Sequence, residues 1–117
     1  MRRLLLATKN SWNGLLAGAR SEEAIRQELA ALVISIPLAF LIGAGAWQRV
    51  ALIAVILLIL LTELLNTAIE KLSDHVTPHN HPVIGRIKDM GSAAVGMALL
   101  LAGFVWLVAL AERVGLL

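Results

Sequence analysis

Three long stretches of the chain carry no charge: residues 29–48, residues 50–62 and residues 90–111. A membrane-crossing helix needs about 20 residues at about 1.5 Å rise, so the first and third suffice alone. The second is too short. Its crossing must run on past Glu63 and carry that carboxylate to the edge of the hydrocarbon or just inside it. A helix is the only open-ended structure that satisfies its own backbone in lipid. The pattern therefore predicts three spanning helices, over about 29–48, 50–70 and 90–111. Gly43-Ala44-Gly45-Ala46-Trp47-Gln48 reads as a short turn, with Trp47 at the headgroup level and Trp106 placed alike near the far end of the third span.

The flanking segments are mixed. Residues 4–19 interleave Leu, Ala and Trp12 with Lys9, Asn10 and Asn13, which predicts a helix lying on the membrane surface. Met1-Arg2-Arg3-Leu4-Leu5-Leu6-Ala7 with Ala17-Gly18-Ala19 faintly resembles a secretory leader, but Thr8 to Asn13 break its apolar region. Ser21 reads as an N-cap, with Glu22 and Glu23 in the first turn of a helix that continues through Arg26, Gln27 and Glu28 into the first span. His75 to Ile87, with Pro78, Pro82, Gly85 and three histidines, reads as a loop. No internal repeat is present.

Composition agrees with the pattern. Of 117 residues, 59% are apolar and 15% charged, more apolar surface than a soluble domain of this length could hide. The expectation is one all-α integral-membrane domain over residues 1–117. Without cysteine there is no disulfide or thiolate chemistry. A net charge of +2 is too small to suggest nucleic acid. Its distribution says more. Arg2, Arg3, Lys9, Arg20, Arg26, Lys71, Arg86 and Lys88 fall on one side of a three-span topology, and Arg49 and Arg113 on the other. That asymmetry predicts a cytoplasmic N-terminus and 71–89 region, and a periplasmic C-terminus. Every acidic residue except Glu112 gathers on the expected cytoplasmic face, where ATP is available.

Glu63 is the chemical centre of this pattern. A carboxylate inside a span costs about 2.5–3.5 kcal/mol at mid-bilayer and less near the headgroups, so such residues mark functional sites. At 100° per residue, Glu70 and Asp74 fall within roughly 20° of Glu63 around the helix, flanked by Asn66 and Thr67. Carboxylates from separate helices, Glu22 and Glu28 among them, suit Mg²⁺, which completes its shell with phosphate oxygens and water. Arg86 and Lys88 could neutralise phosphate, and Glu63 could take a proton from a hydroxyl, the minimum for phosphoryl transfer. No G-x-x-x-x-G-K-[ST] loop is present. Plainer readings stand beside this one. Charges at helix ends often only anchor a helix, and Lys88 could simply snorkel. His75, His79 and His81 read as polar loop residues rather than a metal site. Gly91, Ser92 and Gly96 resemble a small-residue packing face, with Ser92 ambiguous. Glu63 could also serve a proton-coupled transporter, and a noncatalytic helical scaffold would leave Glu63 and Asn66 unexplained.

Glu63-Leu64-Leu65-Asn66-Thr67-Ala68-Ile69-Glu70 and Gly85-Arg86-Ile87-Lys88-Asp89-Met90-Gly91-Ser92-Ala93-Ala94 closely resemble the signature of the small prokaryotic diacylglycerol kinases. Ser11-Trp12-Asn13-Gly14-Leu15 and Glu22 to Glu28 resemble that family's surface helix and first-span entry. The resemblance covers essentially the whole chain. It implies a homotrimer in the bacterial inner membrane, with sites shared between subunits, that phosphorylates diacylglycerol with MgATP. Glu63 then matches the general base, and Glu22 and Glu70 the Mg²⁺ carboxylates. Arg3, Asn10, Asn66, His79, His81, Lys88 and Asp89 match nucleotide-site positions. Arg3, Trp12, Arg26, Glu28, Arg49, Ser92 and Trp106 match positions near the lipid. Undecaprenol, another lipid alcohol, is the alternative acceptor. Asn10, where the family often has an aromatic residue, and the His79-Asn80-His81 loop depart from the family pattern.

Overall fold

The computed structural model describes all 117 residues as four helices with no strand: α1, Arg2–Ser21; α2, Glu23–Ile42; α3, Ala46–Val76; and α4, Pro82–Arg113. The last three are long and apolar enough to cross a membrane. At about 1.5 Å per residue, α3 and α4 are each about 46–48 Å long against a hydrocarbon core of about 30 Å. Both helices are longer than that core is thick, and Glu70, Asp74 and Lys88 lie in their charged stretches outside the uncharged runs.

Several boundaries differ from the sequence reading. The first span was expected to reach 48, but α2 ends at Ile42, and Trp47 and Gln48 already belong to α3. The cause is the Gly43–Gly45 turn. Gly45 has φ 139°, a conformation open to glycine alone, and a Cβ on Gly43 would meet the Ala39 carbonyl and the Arg49 stem at 2.6 Å. The loop expected over His75–Ile87 shrinks to residues 77–81. Pro82, read as a breaker, instead opens α4 at a position where its missing N–H costs nothing. Ser21 is not an N-cap: it ends α1, and Glu22, in extended conformation, separates α1 from α2.

Packing is tightest between α3 and α4. Val55 and Ile59 of α3 meet Ala98 and Ala102 of α4, and Leu52 meets Ala39 of α2 and Ala109 of α4. Alanine here lets the backbones approach, which drives association where lipid is as apolar as the side chains. Gly91 continues this buried face, but Ser92 is exposed and a Cβ on Gly96 would touch nothing, so the expected Gly91-Ser92-Gly96 face is corrected to Gly91, Ala98, Ala102 and Ala109. Only 16 of 117 residues are buried. Val33, Phe40, Leu41, Met97, Leu100, Phe104 and Leu107 stay uncovered, which water would not tolerate and lipid does.

Candidate active site

Four carboxylates from different parts of the chain collect at one end of the bundle. Glu22 stands at the elbow between α1 and α2, Glu28 lies one and a half turns into α2, and Glu63 and Glu70 share a face of α3. Glu63 lies within electrostatic reach of Glu22, Glu28 and Glu70. All four are half-buried, so water screens their mutual repulsion only in part. The α3 stripe read from the sequence is inward-facing at its centre: Asn66 and Thr67 are buried, and Asp74 at its end is exposed.

Hydrogen bonds and ion pairs set the aim of these groups. Asn66 Nδ2 donates to Glu70 Oε1 at 3.2 Å, one turn further along α3. Lys71 Nζ lies 3.3 Å from Glu22 Oε1 and ties the elbow to α3. Lys88 of α4 pairs with Asp74 of α3 across the short loop. Arg26 turns back from α2 and donates to the carbonyls of Ala19 (2.7 Å) and Arg20 (3.3 Å), satisfying orphan acceptors at the end of α1. Two buried oxygens receive no hydrogen bond: Glu28 Oε2 and Asn66 Oδ1. A buried polar atom without a partner costs about 1–3 kcal/mol, a cost that ligand-binding sites carry until a ligand arrives.

The remaining candidates fall into two groups. His79, Asn80, His81, Gly85 and Lys88 line one open hollow of about 430 Å³ beside the α3–α4 loop. His81 Nδ1 also accepts from Val83 N at 3.1 Å and so caps α4. Asp89 and Ser92 are exposed on the same helix, and Arg3, Asn10 and Trp12 are exposed along α1. Arg49 and Trp106 belong elsewhere. Arg49 is fourteen residues from Glu63 along α3, about 21 Å at helical rise, with its guanidinium over Phe40 at 5.3 Å. Trp106 Nε1 donates to the Leu52 carbonyl at 3.1 Å, between the two hydrophobic clusters. Within one subunit, neither reaches the carboxylates.

The donor set is oxygen alone, clustered negative charge with Lys71 as its single paired cation. That chemistry fits a hard divalent cation. Within one subunit no three His, Asp or Glu side chains stand close enough together to hold a metal ion, and Mg²⁺ needs only one or two carboxylates where phosphate oxygens and water complete its shell. Sequence reasoning missed the roles of Arg26, Lys71 and Asp74. Their partners lie on other elements of the fold; opposite charge was an available signal for Lys71 and Asp74, and none existed for Arg26, which bonds backbone carbonyls.

Residues 9–110 match the family model described as prokaryotic diacylglycerol kinase. The chain is 38% identical over 113 residues to a diacylglycerol kinase of Escherichia coli, covering 97% of this chain and 93% of that one. A diacylglycerol kinase of Pseudomonas aeruginosa is 44% identical over 106 residues, 91% of this chain and 86% of the other. One from Haemophilus influenzae is 39% identical over 103 residues, 88% and 87% respectively.

Proposed function

The chain belongs to the prokaryotic diacylglycerol kinase family, and from that premise we propose that it transfers the γ-phosphate of ATP to the free hydroxyl of diacylglycerol at the cytoplasmic membrane face. The observation that supports the site assignment is the gathering of Glu22, Glu28 and Glu70 around Glu63 at one end of the bundle, a level that the length of the uncharged stretches puts near the membrane surface. An alcohol held in the oil phase and a phosphate donor held in water can meet only at such a level.

In this reading the Glu63 carboxylate accepts the hydroxyl proton as the alcohol oxygen bonds to the γ-phosphorus and the bond to the ADP oxygen breaks. The products are phosphatidic acid and ADP. Glu28 Oε2, buried without a donor, receives a hydroxyl hydrogen bond and orients the headgroup. Glu22 and Glu70 hold Mg²⁺, which supplies charge neutralisation at the phosphate oxygens when bound. Asn66 fixes the Glu70 carboxylate. Lys88, held towards α3 by Asp74, offers a cation beside the hollow lined by His79 and His81, where the nucleotide sits together with Asp89.

The uncovered apolar faces support association into the homotrimer that the family resemblance implies. The exposed run of α1, with Arg3, Asn10 and Trp12, then serves the site of a neighbouring subunit. The bacterial inner membrane is the location that the family resemblance implies, and the Lys and Arg asymmetry supports a cytoplasmic N-terminus with the C-terminus in the periplasm. The decisive experiment is transfer of labelled γ-phosphate from ATP in mixed micelles, with diacylglycerol and undecaprenol side by side. Labelled phosphatidic acid is expected as the main product. Preference for undecaprenol would replace the acceptor, and transfer to neither lipid would overturn the kinase reading.

A further inference from the structure

We propose that Gly91 is a positioning residue for the carboxylate of Glu70, acting through Asn66; the inference rests on the assignment of Glu70 to the metal. Gly91 is buried on α4 directly opposite Asn66 of α3. A Cβ placed on Gly91 would overlap Asn66 Oδ1 and stand 3.3 Å from Asn66 Cγ, yet it would lie 3.9 Å from Asn66 Cα, an ordinary contact. The amide of Asn66 therefore occupies the space that any side chain at 91 would need. The two backbones do not conflict.

Asn66 has little freedom to yield. Its Nδ2 donates to Glu70 Oε1 at 3.2 Å, and the reverse orientation would set its oxygen against the carboxylate oxygen. On a helix its χ1 has only two ready wells. A rotation large enough to clear a methyl group takes Nδ2 away from Glu70. The displaced amide has somewhere to go, because a hollow of about 330 Å³ lined in part by Thr62, Ile87 and Met90 lies beside it. Alanine at 91 should thus leave the helices in place and release the Glu70 carboxylate.

The position is specific within α4. A Cβ on Gly96 or Gly103 of the same helix meets nothing. General packing therefore does not explain Gly91, and alanine would otherwise favour the helix by about 1 kcal/mol. What distinguishes 91 is the side chain facing it, which reaches a candidate metal carboxylate.

The test uses the full chain in mixed micelles with a non-hydrolysable ATP analogue. Mn²⁺ serves as a paramagnetic divalent probe whose binding is read by electron paramagnetic resonance. Gly91→Ala is expected to weaken Mn²⁺ binding about tenfold, a loss on the scale of removing a partner behind a metal ligand, with the unfolding temperature nearly unchanged. Gly96→Ala should bind as the unaltered chain does. In an Asn66→Ala background Gly91→Ala should add no further loss, since the two changes act through one contact. Unchanged Mn²⁺ binding in Gly91→Ala, or losses that simply add, would overturn the inference while a loss in Glu70→Gln left the metal assignment standing. If Glu70→Gln binds Mn²⁺ normally, the metal assignment falls and this inference with it. Should Gly91→Ala fail to fold, the Asn66→Ala, Gly91→Ala double variant is expected to fold; its failure would locate the conflict elsewhere and overturn the proposal.

Discussion

The two ends of the helix bundle treat their polar groups in opposite ways. At the α2–α3 turn the polar atoms are mostly spoken for. Gln48 accepts from Ala44 N and donates to Glu112 Oε2, Arg113 donates to the Leu41 carbonyl, and Trp106 donates to Leu52. Arg49 Nε is the exception, and its guanidinium is covered by Phe40. At the other end, Glu63 lies among three more half-buried carboxylates with one paired lysine nearby, and Glu28 Oε2 and Asn66 Oδ1 are left without partners. One end spends its polar groups on holding helices together. The other keeps them available at a cost in stability, as binding and catalytic sites do.

The sharpest way to break this contrast is Glu63→Gln. Losing a general base should lower turnover by about 10²–10⁴-fold, while binding of the ATP analogue stays close to that of the unaltered chain. Loss of nucleotide binding with turnover retained would reverse the roles given to Glu63 and its neighbours. The next test addresses the opposite end. Trp106→Phe removes the hydrogen bond to Leu52 and should cost about 0.5–1.5 kcal/mol in unfolding free energy, with phosphate transfer per folded molecule unchanged. A fall in transfer without a fall in stability would bring Trp106 back to the lipid site that the family resemblance assigns it. The smallest effect is expected of Glu23→Ala. Glu23 is exposed at the start of α2 and accepts from Gln27 Nε2 on its own helix, so transfer and its Mg²⁺ dependence should barely move. Damage equal to that of Glu22→Ala would move the metal role away from Glu22 alone.

What could be read in advance was what local periodicity encodes. Three apolar stretches mark three long helices, and the spacing of Glu63, Asn66 and Glu70 puts them on one face of α3 without reference to any other helix. Ends and partners were harder. Pro82 breaks a helix from within but opens one at its first turn, and nothing nearby tells the two apart. Ser21 has the chemistry of a cap, yet the extended residue is Glu22. The alanines at 98, 102 and 109 carry the α3–α4 contact but sit in a helix already rich in Ala and Leu, so they offered no contrast. Arg26, Lys71 and Asp74 act on residues of other helices, a relation that one sequence leaves unmarked. Asn66 against Gly91 is of the same kind: each stands out alone along the chain, and only the packing joins them.

The Arg26 clamp on the end of α1 has a mechanical consequence. If the guanidinium holds across the elbow, α1 and α2 turn together, and α1 becomes a lever whose fulcrum stands beside Glu22. Its length of about 30 Å means that a span leaning by about 10° in a thicker or thinner bilayer would raise or sink the far tip by about 5 Å. Leu4, Leu5 and Leu6 ride on that tip. The thickness of the surrounding lipid would thus be felt at the carboxylates through a single guanidinium.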